Sequence, residues 1–295
     1  MQNPARLCYF LRVPATGDLD VQPDGVSRRL PAGRKAELTA YVTEMGQVTV
    51  ARLAERFDVS LDTIRRDLDQ LDSDGVLIRT HGGAISVSAS PRPDTGLAVR
   101  ARMQASAKDT IGALAAGLIP DGASLLMNAG TTTLALTRHL QNHRDLTIAT
   151  NSLAIPAEIA PKIFRDLYVF GGVVRLSAQA TVGPVVFPVL PGGEVDIRTD
   201  FALISVGAVS HDGGFSTSNP GEAAMMSEMM AHADEVIVLA DSTKFGRRLF
   251  AQIAELGRAD RLVTDAAPGI ELHEALQAAD VKVLTPQNAP PEHSS

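Results

Sequence analysis

Between residues 106 and 285 helical stretches alternate with short β-prone runs, and few folds are compatible with that alternation. The runs are residues 124–127, 146–150, 167–170, 201–206, 236–240, 261–263 and 281–284. Strands separated by helices describe βαβ units and a mainly parallel sheet, so the fold class expected here is an α/β domain. Five of the runs end in glycine or small polar residues. Asn128-Ala129-Gly130-Thr131-Thr132-Thr133 follows the first, Asn151-Ser152 the second, Gly171-Gly172 the third and Gly207 the fourth. Asp241-Ser242-Thr243-Lys244-Phe245-Gly246 follows the fifth. Ligands of open α/β sheets bind beyond the carboxyl ends of the strands, so these segments converge on one rim.

The chemistry of the rim suits an anion. A strand that runs through Gly130 and three threonines into a helix points backbone N–H groups outward, and the helix dipole favours negative charge. The hydroxyls of Thr131, Thr132 and Thr133 add donors; the ordinary alternative is a helix cap with spare threonines. Lysine is scarce, occurring only at 35, 108, 162, 244 and 282, so Lys244 in such a loop is informative as a partner for phosphate. Asp241, Glu222 and Asn151 are candidate acceptors for sugar hydroxyls. Met225, Met226, Met229 and Met230 fall at helical spacing after Glu222, where core packing is the expected role. His211-Asp212 lies in a Gly-rich stretch and reads as a turn rather than a catalytic dyad.

A smaller module comes first. Residues 36–45 suit a helix ended by Gly46, and Thr49 caps a second helix that runs to Phe57. Asp58-Val59 turns the chain, and Ser60 caps a third helix over residues 61–71. Leu61, Ile64, Leu68 and Leu71 share one stripe at about 100° per residue. The same projection turns Asp62, Thr63, Arg66 and Gln70 outward, with Arg65 and Asp67 on the flanks. Two striped helices joined by a tight turn, the second with Thr and Arg near its start, describe a helix-turn-helix with a recognition helix for the major groove. Residues 76–79 and 84–87 are β-prone around the turn Thr80-His81-Gly82-Gly83, which makes a wing. The candidate DNA-binding residues are Ser60, Asp62, Thr63, Arg65, Arg66, Gln70, Arg79, His81, Gly82 and Gly83. A solvated helix face, with Arg65 and Arg66 paired to Asp62 or Asp69, is the plainer alternative.

Charge does not argue for DNA by itself. The chain carries a net −7, and residues 34–85 hold seven Arg and Lys against nine Asp and Glu. Affinity for phosphate must come from where the cations sit, and it favours several modules held together in a homo-oligomer. The single cysteine, Cys8, excludes an internal disulfide, and no Cys/His cluster supplies a metal site. No apolar run reaches the roughly 18 residues of a membrane span, so the expected address is the cytoplasm. Residues 1–32 read as a disordered segment or an arm and residues 89–105 as a linker. The last ten residues, 286–295, read as a tail.

Two stretches carry a family resemblance. Val59-Ser60-Leu61-Asp62-Thr63-Ile64-Arg65-Arg66-Asp67-Leu68, followed by Leu77-Ile78-Arg79-Thr80-His81-Gly82-Gly83-Ala84, resembles the N-terminal signature of DeoR-type transcription regulators. Gly130-Thr131-Thr132-Thr133, Thr150-Asn151-Ser152, Phe170-Gly171-Gly172 and Ala240-Asp241-Ser242-Thr243-Lys244-Phe245-Gly246 resemble the sensor domain of the same family, in the same order. The resemblance implies double-stranded operator DNA as partner, bound by the third helix and the wing. It also implies a sensor related in fold to ribose-5-phosphate isomerases that responds to phosphorylated sugars or related metabolites, and no cofactor. Asn128 departs from the family, which often has Asp there. The alternative is a sugar-phosphate isomerase fused to a DNA-binding module. Isomerisation needs a positioned base and acid, and the loop after Val206, Gly207-Ala208-Val209-Ser210-His211-Asp212, lacks the paired acids of those enzymes.

Overall fold

The computed structural model describes residues 31–89, 95–185, 188–190, 193–194 and 197–289. Residues 1–30 of the expected arm and residues 290–295 of the tail lie outside these.

The N-terminal module is built from α1 (Pro31–Met45), β1 (Gln47–Thr49), α2 (Val50–Phe57), α3 (Leu61–Ser73), β2 (Leu77–Thr80) and β3 (Gly83–Ser86). Its caps are the expected ones: Thr49 Oγ1 accepts from Arg52 N at 3.3 Å and Ser60 Oγ from Thr63 N at 3.2 Å. Asp58 ends α2 in the left-handed region, φ 51°. Leu38, Val42, Leu53, Phe57, Ile64, Leu68 and Leu77 close a core of the module's own. The sheet has three strands in the order β1-β3-β2, one more than the expected hairpin. Gly83 explains why β3 can lie against β1. A Cβ there would sit 2.0 Å from the Val48 carbonyl oxygen.

Three expectations for this module are corrected. Helix α1 starts at Pro31 rather than residue 36, since proline is well tolerated in a first turn. Leu61 is 45% exposed, because the first turn of α3 projects past the core that takes Ile64, Leu68 and Leu71. Asp67 is buried rather than flanking, where it accepts from Arg34 Nε of α1 at 2.6 Å.

The expected linker is not structureless. It contains α4 (Leu97–Arg102), and α5 (Ala105–Ala116) begins inside it as well. The α/β domain continues through β4 (Ser124–Met127), α6 (Thr131–Thr137), β5 (Leu146–Thr150), α7 (Ile155–Glu158) and β6 (Phe164–Val169). Then follow β7 (Val173–Arg175), β8 (Ala180–Val182), β9 (Pro188–Leu190), β10 (Gly193–Glu194), β11 (Thr199–Ser205), β12 (Ala208–Ser210) and β13 (Gly214–Thr217). The domain ends with α8 (Pro220–Ala231), β14 (Ala233–Leu239), β15 (Ala251–Ala254), β16 (Arg261–Val263), α9 (Ile270–Ala278) and β17 (Lys282–Leu284).

All seven expected strands form, and they pair in parallel in the order β17-β16-β14-β11-β4-β5-β6. Side chains of a strand alternate between faces. Leu126, Ala202, Ile204, Val236 and Val238 therefore enter one core with α8 and α9. Leu125, Met127, Leu203, Ile237 and Leu239 enter the other with α5, α6 and α7. The four methionines of α8 are all buried in the first core. Among the described residues the domain has three additions the alternating pattern does not foresee, the β7–β8 hairpin, the β9–β10 pair and a three-stranded sheet β12-β13-β15.

Candidate functional site

Two surfaces hold the residues singled out from the sequence. On α3, Asp62, Arg65, Arg66 and Gln70 are exposed and Thr63 is half-buried. Most of this row is engaged within the helix. Arg65 pairs with Asp62 at 2.9 Å, Gln70 donates to Asp74 at 2.9 Å, and the Thr63 and Ser60 hydroxyls share a bond of 2.9 Å. Arg66 makes no ion pair among the described residues. On the wing, His81 and Gly82 are exposed at the turn. Arg79 is half-buried, with Nη1 2.6 Å from Asp69 Oδ1, so the wing's cation is held against α3. Gly83 is buried and serves the β1–β3 approach rather than presenting a surface.

The second surface is a cavity of about 240 Å³ at the carboxyl ends of β4, β11 and β14. Gly130, Thr131, Thr132, Gly207, Glu222, Asp241 and Lys244 line it. The other sensor candidates lie outside the lining and hold its loops. Asn128 is fully buried and clasps β11: Oδ1 accepts from Ser205 N at 2.8 Å, and Nδ2 donates to Ser205 O at 2.8 Å. Asn151 Oδ1 accepts from Ala129 N, and its Nδ2 donates to Thr181 O, each at 2.7 Å. Thr133 spends its hydroxyl on the carbonyls of Asn128 and Gly130. Gly171, at φ 110°, lets the chain pass Thr181 into the hairpin, and Gly172 follows it. Gly130 is a contact glycine: a Cβ would overlap Ser205 Oγ at 1.8 Å.

The charges around the cavity are unequal. Arg100, Lys108, Arg175, Lys244 and Arg247 line it against two carboxylates, Glu222 and Asp241. Arg175 donates to Glu222, which also accepts from Thr217. That leaves Asp241, 1% exposed, among the remaining four cations. Lys108 and Lys244 are 4% and 8% exposed. Burial pushes the Lys108 ammonium down to about 8, with Asp241 opposing and the charges of Lys244 and Arg100 adding to the fall. Burial likewise lowers Lys244 and the Arg100 guanidinium. Cations forced together and out of water favour an anion that neutralises them.

Arg100, Lys108, Arg175 and Arg247 were not singled out from the sequence. Lys108 had a legible signal. With Ile111, Gly112 and Ala115 it forms the buried face of α5, and a lysine on such a stripe demands a buried partner. The others reach the cavity from α4, the β7–β8 hairpin and the loop before β15, whose placement is a tertiary property.

A winged helix ahead of a polar, cation-rich α/β cavity defines the class: a transcription regulator with a sensor, rather than an enzyme. Comparison with known proteins agrees. Residues 34–90 match the DeoR-like helix-turn-helix domain and residues 103–266 the DeoR C terminal sensor domain. The chain is 32% identical to the HTH-type transcriptional repressor CsqR of Escherichia coli K12, over 86% of this chain and 95% of that one. It is 28% identical to the glycerol-3-phosphate regulon repressor of the same organism, over 80% and 91% of the two chains. Among solved structures, ribose 5-phosphate isomerase A of Methanocaldococcus jannaschii aligns with 48% of this chain and 55% of its own, at 15% identity and a TM-score of 0.34. The chain belongs to the DeoR family of transcription regulators.

Proposed function

We propose that this protein is a repressor whose hold on operator DNA is released by a small phosphorylated sugar or related metabolite bound in the cavity. The observation that carries the reading is the excess of cations over carboxylates at the carboxyl ends of the sheet, with Lys108 and Lys244 buried among them. Phosphate at the Gly130–Thr133 loop supplies the missing negative charge, and the carboxylates of Glu222 and Asp241 face the hydroxyl-bearing remainder. A volume near 240 Å³ suits a small metabolite, since sites for drug-sized molecules run to roughly 300–1,000 Å³. The division of labour is residues 33–88 for DNA and residues 106–285 for sensing, and DNA as partner fits the cytoplasm as its place of work. Among the described residues no helix is long and apolar enough to cross a membrane.

A thermal-shift panel tests the reading, because a ligand of the native state raises stability by mass action. Phosphorylated sugars and polyols should raise the melting temperature and their unphosphorylated parents should not. The pH dependence has a definite sign. Lys108 loses its proton near 8 in the folded chain rather than near its ordinary 10.5. Between these values the unfolded chain holds more protons, so the ligand-free protein gains stability as pH rises. Anion affinity should fall over the same rise, because it is the charged lysine that binds. Equal affinity at pH 7 and pH 9 would exclude Lys108 from the site.

The winged module is small and carries net negative charge, and linked modules gain avidity without new contacts. We infer that the sensor domain holds the chain in a homo-oligomer with repeated half-sites on DNA. Sedimentation equilibrium should return a multiple of the chain mass; a monomer at the concentrations that bind DNA would refute this.

A further inference from the structure

The short helix α4 touches both surfaces. Its Arg100 lines the cavity, and the buried Nε of that side chain has no hydrogen-bond partner among the described residues. Its far end faces the DNA-binding module. Arg102 Nη2 lies 2.9 Å from Asp72 Oδ1 at the end of α3, and the same Asp72 oxygen accepts from Arg79 N of β2 at 2.7 Å. Met103, 1% exposed, packs with Ile78 of β2 and Ile85 of β3. Gln104 N donates to the Val87 carbonyl at 2.9 Å. On the sensor side the Lys108 ammonium, itself part of the cavity wall, donates to the carbonyls of Arg100 and Met103 and so grips the end of α4.

We propose that α4 carries the state of the cavity to the recognition helix: Arg100 contacts the bound anion, and the resulting shift of α4 acts on α3 and the wing through Arg102 and Met103. The inference rests on the reading of the cavity as the effector site. Arg100 supplies the pull. A buried donor without a partner is costly, and an anion in the cavity satisfies it. The Lys108 ammonium supplies the second. An anion that draws it inward takes with it, or releases, the two carbonyls it holds. Helix α4 can respond because six residues are too few to be a stable helix alone, so its position follows what grips its ends. An effector shifts an equilibrium only through different affinities for two states. Here the two states differ in whether α4 is seated on Asp72, Ile78 and Ile85.

The test uses the full chain, inorganic phosphate at constant ionic strength, and a duplex selected by the protein from a random pool. Thermal shift reads binding, amide hydrogen exchange of residues 77–86 reads the wing, and anisotropy reads the duplex. Arg100→Met should lower phosphate affinity about tenfold or more, the loss of a charged hydrogen bond. Arg102→Ala should keep the thermal shift of the parent. Its phosphate-induced change in wing exchange should vanish, and so should the drop in duplex affinity, which for coupled sites is on the order of five- to 150-fold. Arg102→Lys should restore most of both. A purely structural Arg102 would lower the starting melting temperature and leave the phosphate response intact, and that result overturns the proposal. If phosphate fails to stabilise the parent, the anion reading fails first and takes this inference with it.

Discussion

Lys244→Ala is expected to occupy the operator as the parent does and to stay there when the effector is added. Lys244 is buried in the cavity wall, and its ammonium is held below its usual range by burial. Removing it deletes a charge-assisted bond to the anion, worth about 1.5–3 kcal/mol. Effector affinity should then fall by roughly ten- to a hundredfold. The winged module contains no part of this wall, so binding of DNA without effector should not change. Footprinting across an effector titration reads both quantities on one sample. Release at the parent's effector concentrations would place Lys244 outside the site. Loss of DNA binding by a folded variant would refute the separation of the two modules.

Arg66→Ala should produce the largest loss in sequence-specific binding. The other outward polar groups of α3 are already engaged, Arg65 with Asp62, Gln70 with Asp74 and Thr63 with Ser60. Arg66 is exposed on the same face with no ion pair among the described residues. A bidentate contact to guanine discriminates by about 1–3 kcal/mol, so specific affinity should drop roughly five- to 150-fold while non-specific affinity falls little. Arg65 has only an exposed i,i+3 pair to give up, worth about 1 kcal/mol or less, and can be recruited to backbone phosphate. Arg65→Ala should then weaken all duplexes evenly. Competition binding against selected and scrambled duplexes separates the two patterns; an Arg66→Ala protein that still prefers the selected duplex as the parent does would move base readout elsewhere.

The parallel sheet and the helix-turn-helix are legible in the sequence because both rest on local periodicity. Strand period and helix period each leave a mark within a dozen residues, and the caps at Thr49 and Ser60 mark where helices begin. The cavity is legible only in part. Gly130, Thr131, Thr132, Gly207, Glu222, Asp241 and Lys244 follow strand ends or open helices, so strand-end reasoning finds them. It also gathers Asn128 and Asn151, which lie at strand ends and face the neighbouring loops. A side-chain amide that bonds a backbone and one that awaits a ligand look the same in sequence. Arg100, Arg175 and Arg247 arrive from segments far apart in the chain, and nothing local in their neighbourhoods shows that they meet. The composition of residues 89–105 hides α4, because Ser and Pro at its start dominate the pattern.

The two asparagines have a thermodynamic corollary. Asn128 fastens β4 to β11, and Asn151 fastens the loop after β4 to the hairpin strand β8, so the floor of the cavity is cross-stitched by amides. A stitched floor has little freedom left to lose. The conformational entropy that a ligand removes must come from the parts of the wall that are not stitched, the α4 segment above all. The entropy of binding will therefore report the unstitched wall, because the preset floor has little order left to gain. A ligand that fills the floor without reaching Arg100 would bind with a mild entropic penalty and leave the DNA module unmoved, an antagonist by omission.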